Sequence, residues 1–298
     1  MRVFVTGASG WIGSAAVAEL LASGHDVVGL ARSDGSAQAL VAAGARVARG
    51  DLDDTASLRA GARDADAVLH LAFKHDFSDF LAAGRTERAA IEALGDELAG
   101  SGRALLLASG LAAHGLGRPL TEEDRAPQGG PDSPRGGSEA LALSFAERGI
   151  RPVAVRFAPT VHGENDHGFT AQLARVARTR GVVGYVGEGT NRWAAVHRAD
   201  AARLIRLALE DPTAGPAVHA VAEVGIPTRE IAVALADRLG LPVASIAPED
   251  AEKHFGWIGG FFSADMVATS DLTKRRLGWE PTGPGLRDDI AAGFYDRA

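Results

Sequence analysis

Three groups of residues in this sequence have the types and spacing for chemistry: closely spaced glycines, charged residues at strand ends, and two histidines further on. The first group is Thr6-Gly7-Ala8-Ser9-Gly10-Trp11-Ile12-Gly13. Glycine has no Cβ, so Gly7 and Gly10 permit a sharp turn whose backbone N–H groups approach an anion. Gly13 lets the following helix pack close to the preceding strand with its positive end aimed at that anion. The stretch from Thr6 to Gly13, with Ser9, Trp11 and Ile12, is read as the seat of a dinucleotide pyrophosphate, an ordinary tight turn being the alternative. The second group starts at Arg32-Ser33, where the next strand ends. An acidic side chain there would favour NAD, whereas a guanidinium with Ser33 as a second donor suits a 2′-phosphate, so NADP(H) is preferred over NAD(H). Asp34 could still reach a ribose, and Arg32 could be a solvated loop charge. Asp51 and Leu52, followed by Asp53, end a third strand. A carboxylate there would meet an adenine amino group or cap the helix beginning near Thr55. The third group is His114 and His162, each just past a strand, with an ordinary pKa close to working pH.

These residues need a scaffold, and the hydrophobic pattern supplies one. Strands are predicted at Arg2–Thr6, Asp26–Ala31, Arg46–Arg49, Ala67–Leu71, Ala104–Ala108 and Pro152–Phe157. Helices are predicted between them at Gly13–Ala22, Ser36–Ala43, Thr55–Ala62, Gly84–Ser101 and Pro134–Arg148. This alternation predicts an α/β fold, a Rossmann-type doubly wound parallel sheet with a smaller C-terminal substrate-binding lobe. Residues 1–160 are assigned to a dinucleotide-binding domain and 161–298 mainly to the lobe, with about 192–222 returning to the core. The 298 residues carry a net charge of -7, which disfavours a nucleic-acid partner. With no Cys, disulfides and thiolate metal sites are excluded, and no metal site is assigned. No signal-peptide pattern or membrane-length apolar run is present, so a cytoplasmic protein with a small-molecule substrate and no membrane partner is expected.

The glycine stretch, Gly50-Asp51-Leu52, His70-Leu71-Ala72, Trp193–Asp200 and Leu277-Gly278-Trp279-Glu280-Pro281 together resemble the short-chain dehydrogenase/reductase superfamily. The resemblance is to its extended and atypical branches, the NAD-dependent epimerase/dehydratase-like proteins, and it covers nearly the whole chain. It implies that Leu71, Ala72 and Phe73 pass the cofactor ribose, that Lys74 could partly replace a missing cation or be solvated, and that a homodimer is common. It also implies a catalytic Ser or Thr after the fifth strand and a Tyr-x-x-x-Lys on the next helix. Here Gly110 holds the hydroxyl place, His114 the tyrosine of a Tyr-Gly pair, and Arg135 and Glu139 the Tyr and Lys slots. All three usual groups are absent. Arginine cannot donate the proton that tyrosine supplies, although it can stabilise a developing oxyanion. An exposed helix pair of Arg135 with Glu139, four residues apart, is the alternative. The proton would then come from His114 or His162.

Residues 115–137, rich in Gly, Pro and charge, read as a lid over the site, with Ser133-Pro134 starting the next helix. In the second half, Phe169–Arg180, Ala201–Leu209 and Ile231–Leu239 read as helices, and Gly184–Val186, Arg192–His197 and Val218–Val221 as strands. Asp200 is expected to cap the helix after it, and His197 with Asp200 to fix that helix. The aromatic run His254–Phe262 fits an apolar substrate wall, an interface, or a loop tucked into the lobe's core. The preferred function is an atypical short-chain NADP(H)-dependent oxidoreductase acting on a small apolar or cyclic carbonyl compound with a non-standard proton donor. The alternatives are a non-redox cyclase, isomerase or lyase, and a nucleotide-sensing binding protein.

Overall fold

The computed structural model describes residues 1–74, 79–111, 117–125, 130 and 134–297. Its strands are β1 (Arg2–Thr6), β2 (Asp26–Ala31), β3 (Arg46–Arg49), β4 (Ala67–His70), β5 (Ala104–Gly110) and β6 (Arg151–Phe157), followed by β7 (Thr160–His162), β8 (Val183–Val186), β9 (Arg192–His197), β10 (Ala217–Ala220), β11 (Glu223–Pro227) and β12 (Val243–Ile246). Seven of them form the central sheet in the order β10-β6-β5-β4-β1-β2-β3, every neighbouring pair parallel. The order reverses between β1 and β4, and in such sheets the crevice outside that point is where ligands bind. The register puts Thr6 opposite His70 and Ser109 opposite Arg156 at this edge.

The crossovers are α1 (Trp11–Ala22), α2 (Asp34–Ala42), α3 (Thr55–Arg63), α4 (Phe80–Leu98) and α5 (Ser138–Ser144). Beyond them lie α6 (Phe169–Arg180), α7 (Arg198–Glu210), α8 (Thr228–Leu239), α9 (Ala251–Phe255), α10 (Gly259–Phe262), α11 (Asp271–Leu277) and α12 (Leu286–Ala291). Alternation along β1 sends Val3 and Val5 to one face and Phe4 to the other. Val3 and Val5 join Val17, Leu20, Leu204 and Ile205 under α1 and α7, while Phe4 joins Leu58, Ile91 and Leu94 under α3 and α4. A third core of Trp193, Ile231, Leu235, Phe262, Leu286 and Tyr295 belongs to the C-terminal part. No helix among the described residues is long and apolar enough to cross a membrane.

Several expected boundaries move for identifiable reasons. Helix α4 starts before Gly84 because the Asp79 carboxylate accepts from Ala82 N–H at 2.9 Å, capping it. The helix expected over 134–148 is divided into a 3-10 turn at Pro134–Gly137, then α5, then a second 3-10 turn. Gly137 breaks it by taking a left-handed φ of 62°. Asp54, not Asp51 or Asp53, caps α3. Asp200 does not cap α7; His197 does, its Nδ1 accepting from Ala199 N–H at 3.3 Å. Asp200 instead accepts from the N–H groups of Thr282 and Gly283 at 3.0 and 2.8 Å, tying the C-terminal segment to the core. The aromatic run divides: Phe255, Ile258 and Phe262 enter the third core, while Trp257 and Phe261 stay at the surface.

Candidate active site

The glycine turn has the shape its sequence suggested. Gly7 takes a φ of 66°, and a Cβ there would come within 2.7 Å of Ala72 N. A Cβ on Gly13 would sit 1.9 Å from Gly7 O, so the helix can approach this closely only without one. Gly10 is the N-cap of α1 and supplies no side-chain bond to the first turn, whose N–H groups thus remain for an anion. This cradle fits a pyrophosphate. Thr6, fully buried, shares a hydrogen bond of 2.8 Å with His70 Nδ1, and its Oγ1 also accepts from Ala72 N–H at 3.3 Å. Leu71 and Ala72 therefore lie directly against Gly7, while Ser9 is exposed and Ile12 half-buried. The Trp11 side chain acts as a rivet: its indole N–H donates to Val161 O at 2.8 Å, and the Arg198 guanidinium lies 4.1 Å from its ring centre.

At the end of β2, Arg32 is exposed and has no hydrogen-bond or ion-pair partner among the described residues. Its neighbours are engaged. Ser33 accepts from Ser36 N–H at 3.2 Å as the cap of α2, and Asp34 pairs with Arg49. Asp51 accepts from Asp53 N–H at 3.1 Å, and Leu52 is buried beside it. Lys74 bonds Asp53 at 2.7 Å, a contact that holds the Asp53 carboxyl below its ordinary range. The lysine is thus directed toward the Asp53 carboxylate.

The residues at the Tyr and Lys slots do not pair with each other. The Arg135 Nε donates to Glu87 Oε2 at 3.2 Å and its Nη2 to Glu87 Oε1, a two-pronged contact between α4 and the turn before α5. Ser138 Oγ donates to the same carboxylate at 2.9 Å, and the Arg135 guanidinium stacks 4.5 Å from the Phe73 ring centre. Arg135 has a left-handed φ of 57°, a conformation that costs a non-glycine residue roughly 1–2 kcal/mol. Glu87 is buried; burial pushes its carboxyl up and Arg135 opposes this. Glu139 turns inward to Arg156, whose Nε and Nη2 donate to it at 3.1 and 2.6 Å. Arg156 Nη1 donates to His219 Nε2 at 3.2 Å, because His219 Nδ1–H is committed to Thr269 O at 2.7 Å. The exposed Arg135–Glu139 pair is therefore replaced by two separate, largely buried ion pairs.

His162 is fully buried in β7, with Nδ1 at 2.6 Å from Asp289 of α12 and Nε2 without a hydrogen-bond partner among the described residues. His114, His75, Asp76 and Ser133 lie outside the described residues. Gly110 is exposed at the end of β5, and a Cβ there would meet nothing within 4 Å, so space alone does not require a glycine. Of the loop expected as a lid, residues 117–125 are fastened to the C-terminal part. Leu120 N–H donates to Val267 O at 2.9 Å, and Glu122 accepts from Thr273 at 2.6 Å. No group of three or more potential metal-binding side chains occurs among the described residues.

Sequence reading missed Glu87, Ser138, Arg156 and Asp289. A signal existed for Glu87, which shares a helical stripe with Ala83, Ala90, Ile91 and Leu94 and is the charged member of an otherwise apolar face. Arg156 likewise interrupts an apolar strand.

Comparison with known proteins fits this geometry. Uncharacterized protein C2A9.02 of Schizosaccharomyces pombe is 46% identical over 296 residues, covering 99% of this chain and 100% of that one. A 4-hydroxy-2-methyl-3-oxo-4-farnesyl-3,4-dihydroquinoline-1-oxide ketoreductase of Stigmatella aurantiaca is 29% identical, over 60% of this chain and 56% of its own. The structure of MoeE5 in complex with UDP-glucose and NAD superposes with a TM-score of 0.75 at 25% identity, covering 100% of this chain and 99% of the other. The family model for the NAD dependent epimerase/dehydratase family matches residues 3–224. With its parallel seven-stranded sheet and glycine cradle, this chain belongs to the NAD dependent epimerase/dehydratase family.

Proposed function

We propose that the protein is an NADP(H)-dependent oxidoreductase acting on a small carbonyl compound through a proton donor other than tyrosine. The observation that carries this reading is Arg32, unpaired among the described residues at the end of β2, next to the glycine cradle. A guanidinium with free donors there matches a 2′-phosphate. MoeE5 holds NAD, so the choice of phosphate is a property argued from this chain's own Arg32. Gly7, Gly10 and Gly13 would seat the pyrophosphate against the first turn of α1, and Leu71 to Phe73 would flank the ribose. When bound, the nicotinamide supplies or accepts the hydride. Arg135 contacts the substrate, and the proton comes from His114 or His162. The ketoreductase relative supports carbonyl chemistry on this fold.

The test is calorimetric titration with NADPH and NADH on the wild type and Arg32→Ala. Loss of charge-assisted bonds is expected to weaken NADPH by about 10- to 100-fold, with NADH changed less than about twofold. Equal weakening of both nucleotides overturns the 2′-phosphate assignment. The non-redox reading is favoured by the replacement of the expected hydroxyl, Tyr and Lys with Gly110, Arg135 and Glu139. Substrate turnover with no change in nicotinamide absorbance would decide for it.

A further inference from the structure

Arg135 is held more firmly than a residue filling a surface turn requires. Its guanidinium is gripped edge-on by a carboxylate whose side chain is only 1% exposed, stacked on Phe73, and carried on a left-handed backbone followed by two glycines. An arginine has five N–H donors. Here Nε and one Nη2 proton are spent on Glu87, and no other hydrogen bond of this side chain to a described residue exists. Three donors on the Nη1/Nη2 edge are left, and the side chain is 27% exposed. Its position is set by Phe73, just beyond the end of β4 and next in the chain to Ala72, which lies against Gly7, so it stands at the sheet edge that carries the glycine cradle.

We propose that Arg135 is a substrate-recognition residue that binds a carboxylate, so the substrate is a carboxylic acid, and that Glu87 is its positioning residue. The proposal rests on the oxidoreductase reading for the location of the cleft and adds the substrate class. A flat guanidinium edge with parallel N–H groups matches the two oxygens of a carboxylate. Lys74 is occupied by Asp53, and Arg156 by Glu139 and His219, so of these three cations Arg135 is the one with a fork of N–H groups left, which suits a single carboxylate better than a phosphate group that recruits several cations. Glu87 locks the rotamer of Arg135 before the ligand arrives, which lowers the ordering cost of binding.

The test is calorimetric titration of the protein, with NADP+ present in excess and again without it, using acetate, benzoate and benzoylformate, each compared with its neutral amide. At least one acid is expected to bind about tenfold or more tightly than its amide. Arg135→Gln should abolish that preference, and Arg135→Lys, which keeps the charge and loses the fork, should reduce it about threefold or more. Glu87→Gln should weaken the acid while NADP+ affinity stays within about twofold of the wild type. A circular dichroism melt of each variant separates misfolding from lost recognition, and Arg135→Lys serves where Arg135→Gln does not fold. Absence of a preference in all three acid–amide pairs overturns the proposal, as does a preference that survives Arg135→Gln. Failure of NADP+ to bind would instead strike the oxidoreductase reading, because the nucleotide-free titrations read Arg135 independently.

Discussion

At the scale of single residues, burial decides charge. His70 has its imidazole brought down to about 4, mainly by burial and secondarily by Arg135. In the unfolded chain it takes up a proton near pH 6.5. Between about pH 6.5 and 4 the unfolded state therefore binds the extra proton. The stability contributed by the neutral ring is fully present above that window and declines as pH falls through it, by up to about 3 kcal/mol. Thermal melts across this range should show a shallower acid loss for His70→Gln than for the wild type. Identical slopes would assign the loss to another group. Glu87, pushed up by burial, has the opposite slope above its ordinary pKa, so the difference between variant and wild type is the quantity to read.

At the scale of elements, the first turn of α1 is where geometry is tightest. Gly13 touches Gly7 O, Trp11 bonds Val161 O, and Arg198 from α7 covers the Trp11 ring and donates to Ser14 Oγ. The cradle is thus fixed from behind by two other elements. Gly13→Ala places a methyl inside the van der Waals radius of that carbonyl, and overpacking of this kind costs about 1–3 kcal/mol. The turn must open to relieve it. Lowered thermal stability together with at least about tenfold weaker nucleotide binding is expected. A variant that binds nucleotide as the wild type does would show that the turn tolerates the shift.

At the scale of the whole molecule, polar contacts dock the C-terminal segment on the three-stranded sheet β11-β9-β7 and the loop that follows β7. His162 of β7 meets Asp289 of α12, and Tyr295 OH donates to Asp166 Oδ2 at 2.8 Å. Both contacts are buried, so water does not compete for them. Asp289→Asn should cost about 1.5–3 kcal/mol in urea unfolding, the range for a hydrogen bond to a charged group. His162→Gln in the Asp289→Asn background should add much less than it does alone, because the two share one interaction. Additive losses would mean that they act separately. If His162 also moves the proton, its replacement lowers turnover beyond what Asp289→Asn explains, with nucleotide affinity unchanged.

The sequence by itself determined the alternating α/β order, most strand positions of the first half and the glycine cradle. These follow from local causes, side-chain period and glycine at a tight turn. The same local rules located Arg32 at the end of β2. They could not say where Arg135 and Glu139 would find partners, since Glu87 lies 48 residues from Arg135 and Arg156 lies 17 from Glu139. Nor could they assign Asp289 to His162, 127 residues away. Those pairings were decided by tertiary structure alone, because a buried charge takes whichever opposite charge the packing of helices and sheet brings within reach.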